Sequence, residues 1–310
     1  MELNTLAISQ NISSDLLSLN PQVIHITKLL TVDKINKRSI AKEFKLLNLL
    51  FSSKAHKEAL EDTKAFRRYN RYKDVLAFKE GLVTTDGNSL DTNNYIHANW
   101  VNNPFSIEDA QRDFIATQGP LETTCESFWQ MVLQYGVRVV VAIIEDMLIG
   151  KKCWRYWTDD CIVFGRITVE CLYVESHAIY ETRTLKVADS ITGISNIVTH
   201  YHMKSWYDKT APGETEYDHY VDFLKLLYKT KKADQDVPIV VNCSAGVGRT
   251  CTIICAYFLF DCYMQARTNN SEFEFSVFET VRAVKEQRAG AVNVVDQYEF
   301  LYQIIAYFDK

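Results

Sequence analysis

Between Pro238 and Thr250 an apolar run gives way to Asn242-Cys243-Ser244-Ala245-Gly246-Val247-Gly248-Arg249-Thr250. A cysteine, two glycines, an arginine and a hydroxyl so close together can hold an oxyanion beside a thiolate. Gly246 and Gly248 reach backbone conformations that other residues resist, and they put no side chain in a ligand's way. Successive backbone N–H groups in such a loop, with the N-terminus of a following helix, form an anion-binding nest. Arg249 adds a planar fork matched to two phosphate oxygens. The same positive field favours the thiolate of Cys243, the form in which sulfur is nucleophilic. The expectation is a phosphate held by Arg249, Thr250 and the Ser244, Ala245, Gly246, Val247 and Gly248 segment, with Cys243 as the attacking group.

These residues need a rigid support. Ile239 to Val241 are β-branched and uncharged, as in a strand buried on both faces of a parallel or mixed sheet. The run Cys251 to Phe260 is long enough for a buried helix, which makes residues 243–249 a strand-to-helix loop. Cys251 and Cys255 lie one helical turn apart and read as core packing, since that helix is apolar nearly all round. Elsewhere, short helices are expected near Leu16 and from Val23 to Leu30, and Ser39 is placed to cap a helix from Ile40 to about Phe51. Strands are expected after Val75 with Asp86-Gly87 as a turn, near Phe114, at Val137 to Ile144, at Cys153 to Trp157, and as three runs between Ile162 and Val187. A helix from Cys125 to Tyr135 separates the first groups, and the C-terminal part is helical apart from the strand at 239–241. The pattern describes an α/β domain with a mixed sheet covered by helices.

Composition narrows the function. The chain has 310 residues, 47% hydrophobic and 24% charged, enough for a substantial core, and no linker or repeat divides it. Val139 to Ile144, a clean apolar stretch, is far too short to span a bilayer. Glu2 near the start and the lack of a basic-then-apolar pattern argue against a secretory signal. Eight cysteines without C-x-x-C spacing read as reduced thiols of a cytosolic protein, and neither a metal nor another cofactor is expected. A net charge of −5 with no basic stripe makes nucleic acid a poor partner.

The segment Cys243 to Thr250 resembles the phosphate-binding loop of the cysteine-dependent protein tyrosine phosphatases, of the non-receptor class. Asn70-Arg-Tyr-Lys-Asp-Val-Leu76 resembles that family's substrate-depth loop. Asn94 to Asn99 and Phe114 to Pro120 resemble two framework segments, and Gln287-Arg288 through Gln297-Tyr298 resembles the closing glutamine loop. His200 to Asp208 resembles the Trp-Pro-Asp acid loop. The resemblance implies one phosphatase domain over residues 39–310, with a twisted mixed sheet flanked by helices, and residues 1–38 as a helical extension. It also implies that phosphotyrosine proteins are the partners and that Asp208 is general acid and then base. Tyr72 would be an aromatic wall for the phenyl ring, Asp74 a holder of the peptide backbone, and Asn293 and Gln297 would stand beside the hydrolytic water.

Four departures from the family pattern stand beside these matches. Asn242 replaces a histidine, Tyr207 replaces the acid-loop proline with Lys209 soon after, and Asn293 replaces a glutamine. The glutamate that braces the arginine has no clean counterpart: Met147 aligns without a gap, Glu145 or Asp146 only with one. These changes point to a slow enzyme, or alternatively to a weak or inactive phosphatase that sequesters phosphotyrosine proteins. Compact length and scattered erosion also resemble the tyrosine phosphatases of bracoviruses, which implies action on immune-cell signalling in the cytoplasm of infected host cells.

Overall fold

Ile239 and Val241 point into one apolar core while Val240 points into another, so the strand that carries them must lie in the middle of a sheet covered on both faces. The computed structural model describes residues 37–52, 61–85, 94–106, 112–271 and 275–310. The helices expected near Leu16 and at Val23 to Leu30, and the Asp86-Gly87 turn, lie outside them.

The described strands are β1 (Leu82–Thr84), β2 (Tyr95–Val101), β3 (Phe114–Thr117), β4 (Val139–Ile143), β5 (Cys161–Phe164), β6 (Ile167–Ser176), β7 (Tyr180–Asp189), β8 (Ser195–Met203) and β9 (Ile239–Asn242). They form one twisted mixed sheet in the order β1-β2-β3-β9-β4-β8-β7-β6-β5. Its centre is parallel: β9 lies between β3 and β4, and β4 also pairs with β8. Both flanks are antiparallel.

The helices are α1 (Lys37–Leu50), α2 (Cys125–Gln134), α3 (Tyr217–Ala233), α4 (Gly248–Thr268), α5 (Val277–Gln287) and α6 (Val295–Ile305). Phe128, Trp129 and Val132 of α2 pack on the face that carries Val140, Ala142 and Val240. The other helices cover the opposite face around Val141, Ile143 and Val241. Helix α4 runs through this second core, and Cys251 and Cys255 are buried there, where burial raises both thiols.

Two expectations need correction, and one strand was not anticipated. Ser39 lies inside α1, which starts at Lys37, so it is not the cap. Cys153 to Trp157 is not a strand: Tyr156 and Trp157 are both buried instead of alternating, and the Tyr156 carbonyl accepts from Trp129 Nε1 at 2.8 Å rather than from a ladder. Strand β8 was hidden because its inward positions include His200 and His202, whose polarity breaks the apolar alternation although both are buried.

Candidate active site

Strand β9 delivers Cys243 at its C-terminal end, and α4 begins at Gly248, so the turn between them is shorter than residues 243–249. Gly246 has φ +70°, and a Cβ there would meet the Thr117 carbonyl oxygen at 2.2 Å. Glycine is required on both counts.

The carbonyls of this turn are held outward. Ser244 O accepts from Gly119 N at 2.9 Å, Gly246 O from Arg288 Nε at 3.0 Å, and Ala245 O from Arg288 Nη2 at 3.5 Å. Val247 O accepts from Val292 N at 3.1 Å, and Cys243 O from Asn242 Nδ2 at 3.5 Å. In a trans peptide the N–H points opposite to its carbonyl, so anchoring the carbonyls outward turns the amides of residues 244–248 to the inner side. Cys243 Sγ lies there and accepts from Gly246 N at 3.3 Å.

Arg288 was read only as part of the closing glutamine loop, yet it is the buried post behind the turn. Its Nη1 donates to Asn99 Oδ1 at 2.9 Å, and its Nη2 lies 2.9 Å from His97 Nδ1. His97 Nε2 meets Val75 O at 3.0 Å, so Nε2 carries the proton and Nδ1 accepts from Arg288. Burial, reinforced by Arg288, keeps this imidazole neutral, well below its ordinary range.

Arg249 is buried and committed on one edge. Its Nη1 donates to Glu145 Oε2 at 2.6 Å and to Trp206 O at 2.8 Å, while Nη2 leans toward Asp208 Oδ1 at 3.4 Å. Burial opposes this guanidinium charge, but Cys243, Glu145 and Asp208 outweigh it and raise its value. Glu145 therefore occupies the bracing position that the sequence left open. The turn at Asp146–Leu148 and Gly150, with φ +84°, absorb the added residues before Lys152. Glu145 Oε1 also accepts from Asp208 N at 2.7 Å, so one carboxylate ties the arginine to the Asp208 loop.

Asp208 is partly buried, and its Oδ2 accepts from Lys152 Nζ at 2.5 Å. Burial alone would raise this carboxyl, but Lys152, Arg249 and Lys209 hold it below the ordinary aspartate range. Lys152 was not assigned a role from the sequence; its cationic type was the available signal. Trp206 is buried against Tyr220 and Phe300, and Trp206 Nε1 donates to Thr210 O at 2.8 Å, whereas Tyr207 is exposed and Lys209 has φ +60°.

Ser244 Oγ donates to Lys152 O at 2.7 Å, so the Tyr72 hydroxyl, 2.8 Å away, donates to Ser244. Arg71, also unassigned from sequence, clamps the Tyr72 segment by donating to Gly119 O at 2.9 Å, Lys151 O at 2.9 Å and Pro120 O at 2.5 Å. Asp74 is exposed on this segment. Asn293 Oδ1 lies 2.5 Å from where a Cβ on Gly248 would be, and Gln297 Nε2 donates to Thr210 O at 3.4 Å, linking α6 to the acid loop. Thr250 Oγ1 is buried and makes no hydrogen bond among the described residues. The arrangement can bind a tetrahedral oxyanion, attack it from one side with sulfur and exchange a proton on the other.

A sequence model described as protein-tyrosine phosphatase matches residues 66–307. Human tyrosine-protein phosphatase non-receptor type 12 is 32% identical over 243 residues, covering 76% of this chain and 30% of that protein. Mouse non-receptor type 20 is 29% identical over 245 residues, covering 77% of this chain and 53% of its own length. The chain thus spans about half or less of these two relatives. Tyrosine phosphatase H2 of Microplitis demolitor bracovirus (isolate Webb) is 31% identical over 262 residues, covering 77% of this chain and 74% of that protein. Among solved structures, PTPN18 in complex with HER2-pY1248 phosphor-peptides superposes with TM-score 0.74 at 26% identity, covering 87% of this chain and 100% of that one. No helix among the described residues is long and apolar enough to cross a membrane.

Proposed function

Because this chain belongs to the protein-tyrosine phosphatase family, we propose that it removes phosphate from phosphotyrosine proteins through a covalent phosphocysteine. The observation that carries this reading is the grouping of Cys243 Sγ, met by the Gly246 amide, with the Glu145-braced Arg249, on whose charge Cys243 and Asp208 both act. Since Arg249 Nη1 is committed to Glu145 and Trp206, its Nε–Nη2 edge meets the phosphate. Thr250 and the 244–248 amides complete the cradle, and Tyr72 stacks on the phenyl ring while Asp74 meets the peptide backbone.

In the first step Cys243 sulfur bonds to phosphorus, the phosphorus–phenolic oxygen bond breaks, and Asp208 delivers a proton to the leaving oxygen. The carboxylate in its resting place is held ionised by Lys152, Arg249 and Lys209. A bound phosphate dianion takes over Arg249 and favours the protonated carboxyl. In the second step water attacks phosphorus, Asp208 accepts its proton, and the phosphorus–sulfur bond breaks to return the thiolate. Asn293 and Gln297, beside Gly248, place that water.

Residues 39–310 are then the phosphatase domain and 1–38 its extension. The likeness to the bracovirus protein supports a site of action in the cytoplasm of infected host cells, with loss of phosphotyrosine disrupting immune-cell signalling. The test is phosphate release from a phosphotyrosine peptide that survives metal chelation and is absent in Cys243→Ser. Folded wild-type protein with no more turnover than that variant rejects the reading.

A second reading is a phosphotyrosine binder, favoured by the bonds from Lys152, Arg249 and Glu145 that hold Asp208 and by Asn293 in place of glutamine. Peptide residence time separates the two. Asp208→Ala lengthens it if the wild type turns substrate over, and leaves it unchanged in a pure binder.

A further inference from the structure

The first peptide of the nest is supported differently from the others. Its carbonyl, Cys243 O, is met by an amide side chain, Asn242 Nδ2, at 3.5 Å. Asn242 is fully buried, and its backbone is fixed in the ladder between Thr117 and Ala142. The two ends of its amide have nearly the same shape, so packing does not choose between them. Tyr156 chooses: its hydroxyl donates to Asn242 Oδ1 at 2.6 Å, which leaves Nδ2 facing the Cys243 carbonyl.

That tyrosine is held in turn. Having given its one proton to Asn242, the Tyr156 oxygen is an acceptor toward His200 Nε2, 3.3 Å away. His200 therefore carries its proton on Nε2, and Nδ1, left as a bare acceptor, is the ring atom with no hydrogen-bond partner among the described residues. Burial, with the charge of Arg183 added, keeps this imidazole neutral. Phe128 and Trp157 pack around the Tyr156 ring and remove its freedom.

We propose that Tyr156 and His200 are positioning residues: acting through Asn242, they fix the Cys243 carbonyl outward and thereby turn the Ser244 N–H into the anion nest. The benefit to catalysis rests on the phosphoryl-transfer reading above; the effect on anion binding does not. The imidazole normally expected at position 242 is thus supplied from β8, one hydrogen bond further from the nucleophile, with an asparagine as intermediary.

The experiment measures orthovanadate affinity by tryptophan fluorescence and the rate of Cys243 alkylation by iodoacetate, with the thermal midpoint recorded beside each. The variants are Tyr156→Phe, Asn242→Ala, their double combination and Asn242→Asp. Tyr156→Phe frees the Asn242 amide and is expected to weaken vanadate and slow alkylation about three- to tenfold, the range of one neutral hydrogen bond. In the Asn242→Ala background the same change is expected to have no further effect on either readout. Asn242→Asp keeps the acceptor for Tyr156 but sets an oxygen against the Cys243 carbonyl, so it loses more than Tyr156→Phe. If Tyr156→Phe proves insoluble, His200→Phe, which removes the Nε2 donor and keeps a ring, shows a loss of about two- to threefold with the same dependence on Asn242. A merely structural role lowers the thermal midpoint and costs the same with or without Asn242; that additivity, or wild-type affinity and alkylation in Tyr156→Phe, overturns the proposal. A wild type that shows this coupling without phosphate release supports the relay and rejects the phosphatase reading.

Discussion

Glu145→Gln tests whether one buried carboxylate assembles this site. Glu145 offers Oε2 to Arg249 Nη1 at 2.6 Å and Oε1 to the Asp208 N–H at 2.7 Å, two donors satisfied by two oxygens. Glutamine offers one oxygen and one NH2, so one donor must face another donor. Either the guanidinium or the acid loop then loses its anchor. Both side chains of the pair are buried, 1% exposed for Arg249 and 6% for Glu145, so water cannot replace the lost partner. A hydrogen bond to a charged group is worth about 1.5–3 kcal/mol, which predicts a fall in kcat/KM of about 10- to 150-fold toward a phosphotyrosine peptide. The assay is steady-state hydrolysis with orthovanadate affinity alongside. Met147→Ala serves as the control, because Met147 is 75% exposed and its loss is expected to change stability by less than about 0.5 kcal/mol. Glu145→Gln within twofold or so of wild type in both assays refutes the argument that this carboxylate braces Arg249.

Lys152→Met removes the first of the groups that depress Asp208, so the Asp208 value rises and the limb on which kcat/KM falls with increasing pH moves upward; an unmoved or downward limb contradicts the assignment. Because Asp208 is depressed in the folded protein, its bridge stabilises above the ordinary aspartate range and is lost as pH falls through the lowered value, so the variant's stability deficit vanishes in acid; denaturant melts at two pH values check this. Asn293→Gln restores the longer amide beside Gly248 and is expected to shrink any pre-steady-state burst by speeding phosphocysteine hydrolysis, leaving the rate constant of phosphocysteine formation alone. Gly246→Ala drives a Cβ to 2.2 Å from the Thr117 carbonyl oxygen at a φ of +70° and is expected to cost about 3 kcal/mol or more of stability, read from its thermal midpoint; a fully stable, vanadate-binding variant contradicts the packing described.

The grouping of the nest residues was legible because it is local. Cys243, Gly246, Gly248 and Arg249 are neighbours in the chain, and a strand-to-helix turn brings them to one point by backbone geometry alone. The buried β9 and α4 were legible for the same reason, since an uninterrupted apolar run needs no partner to be recognised. Strand β8 was not, because its inward histidines are made acceptable by what covers them: Trp157 packs against both rings and burial holds them neutral.

What only tertiary structure decided was everything reached across the sheet. Glu145, Asp146 and Met147 are neighbours in sequence, and choosing among them required seeing which carboxylate the turn after β4 aims at Arg249. Arg288 lies 42 residues from the Gly246 carbonyl it holds, and Tyr156 lies 86 from the Asn242 amide it orients. Residue types and spacing determine which groups can react. The direction in which a buried amide or carbonyl points is settled by partners that only the packed sheet brings within hydrogen-bond reach.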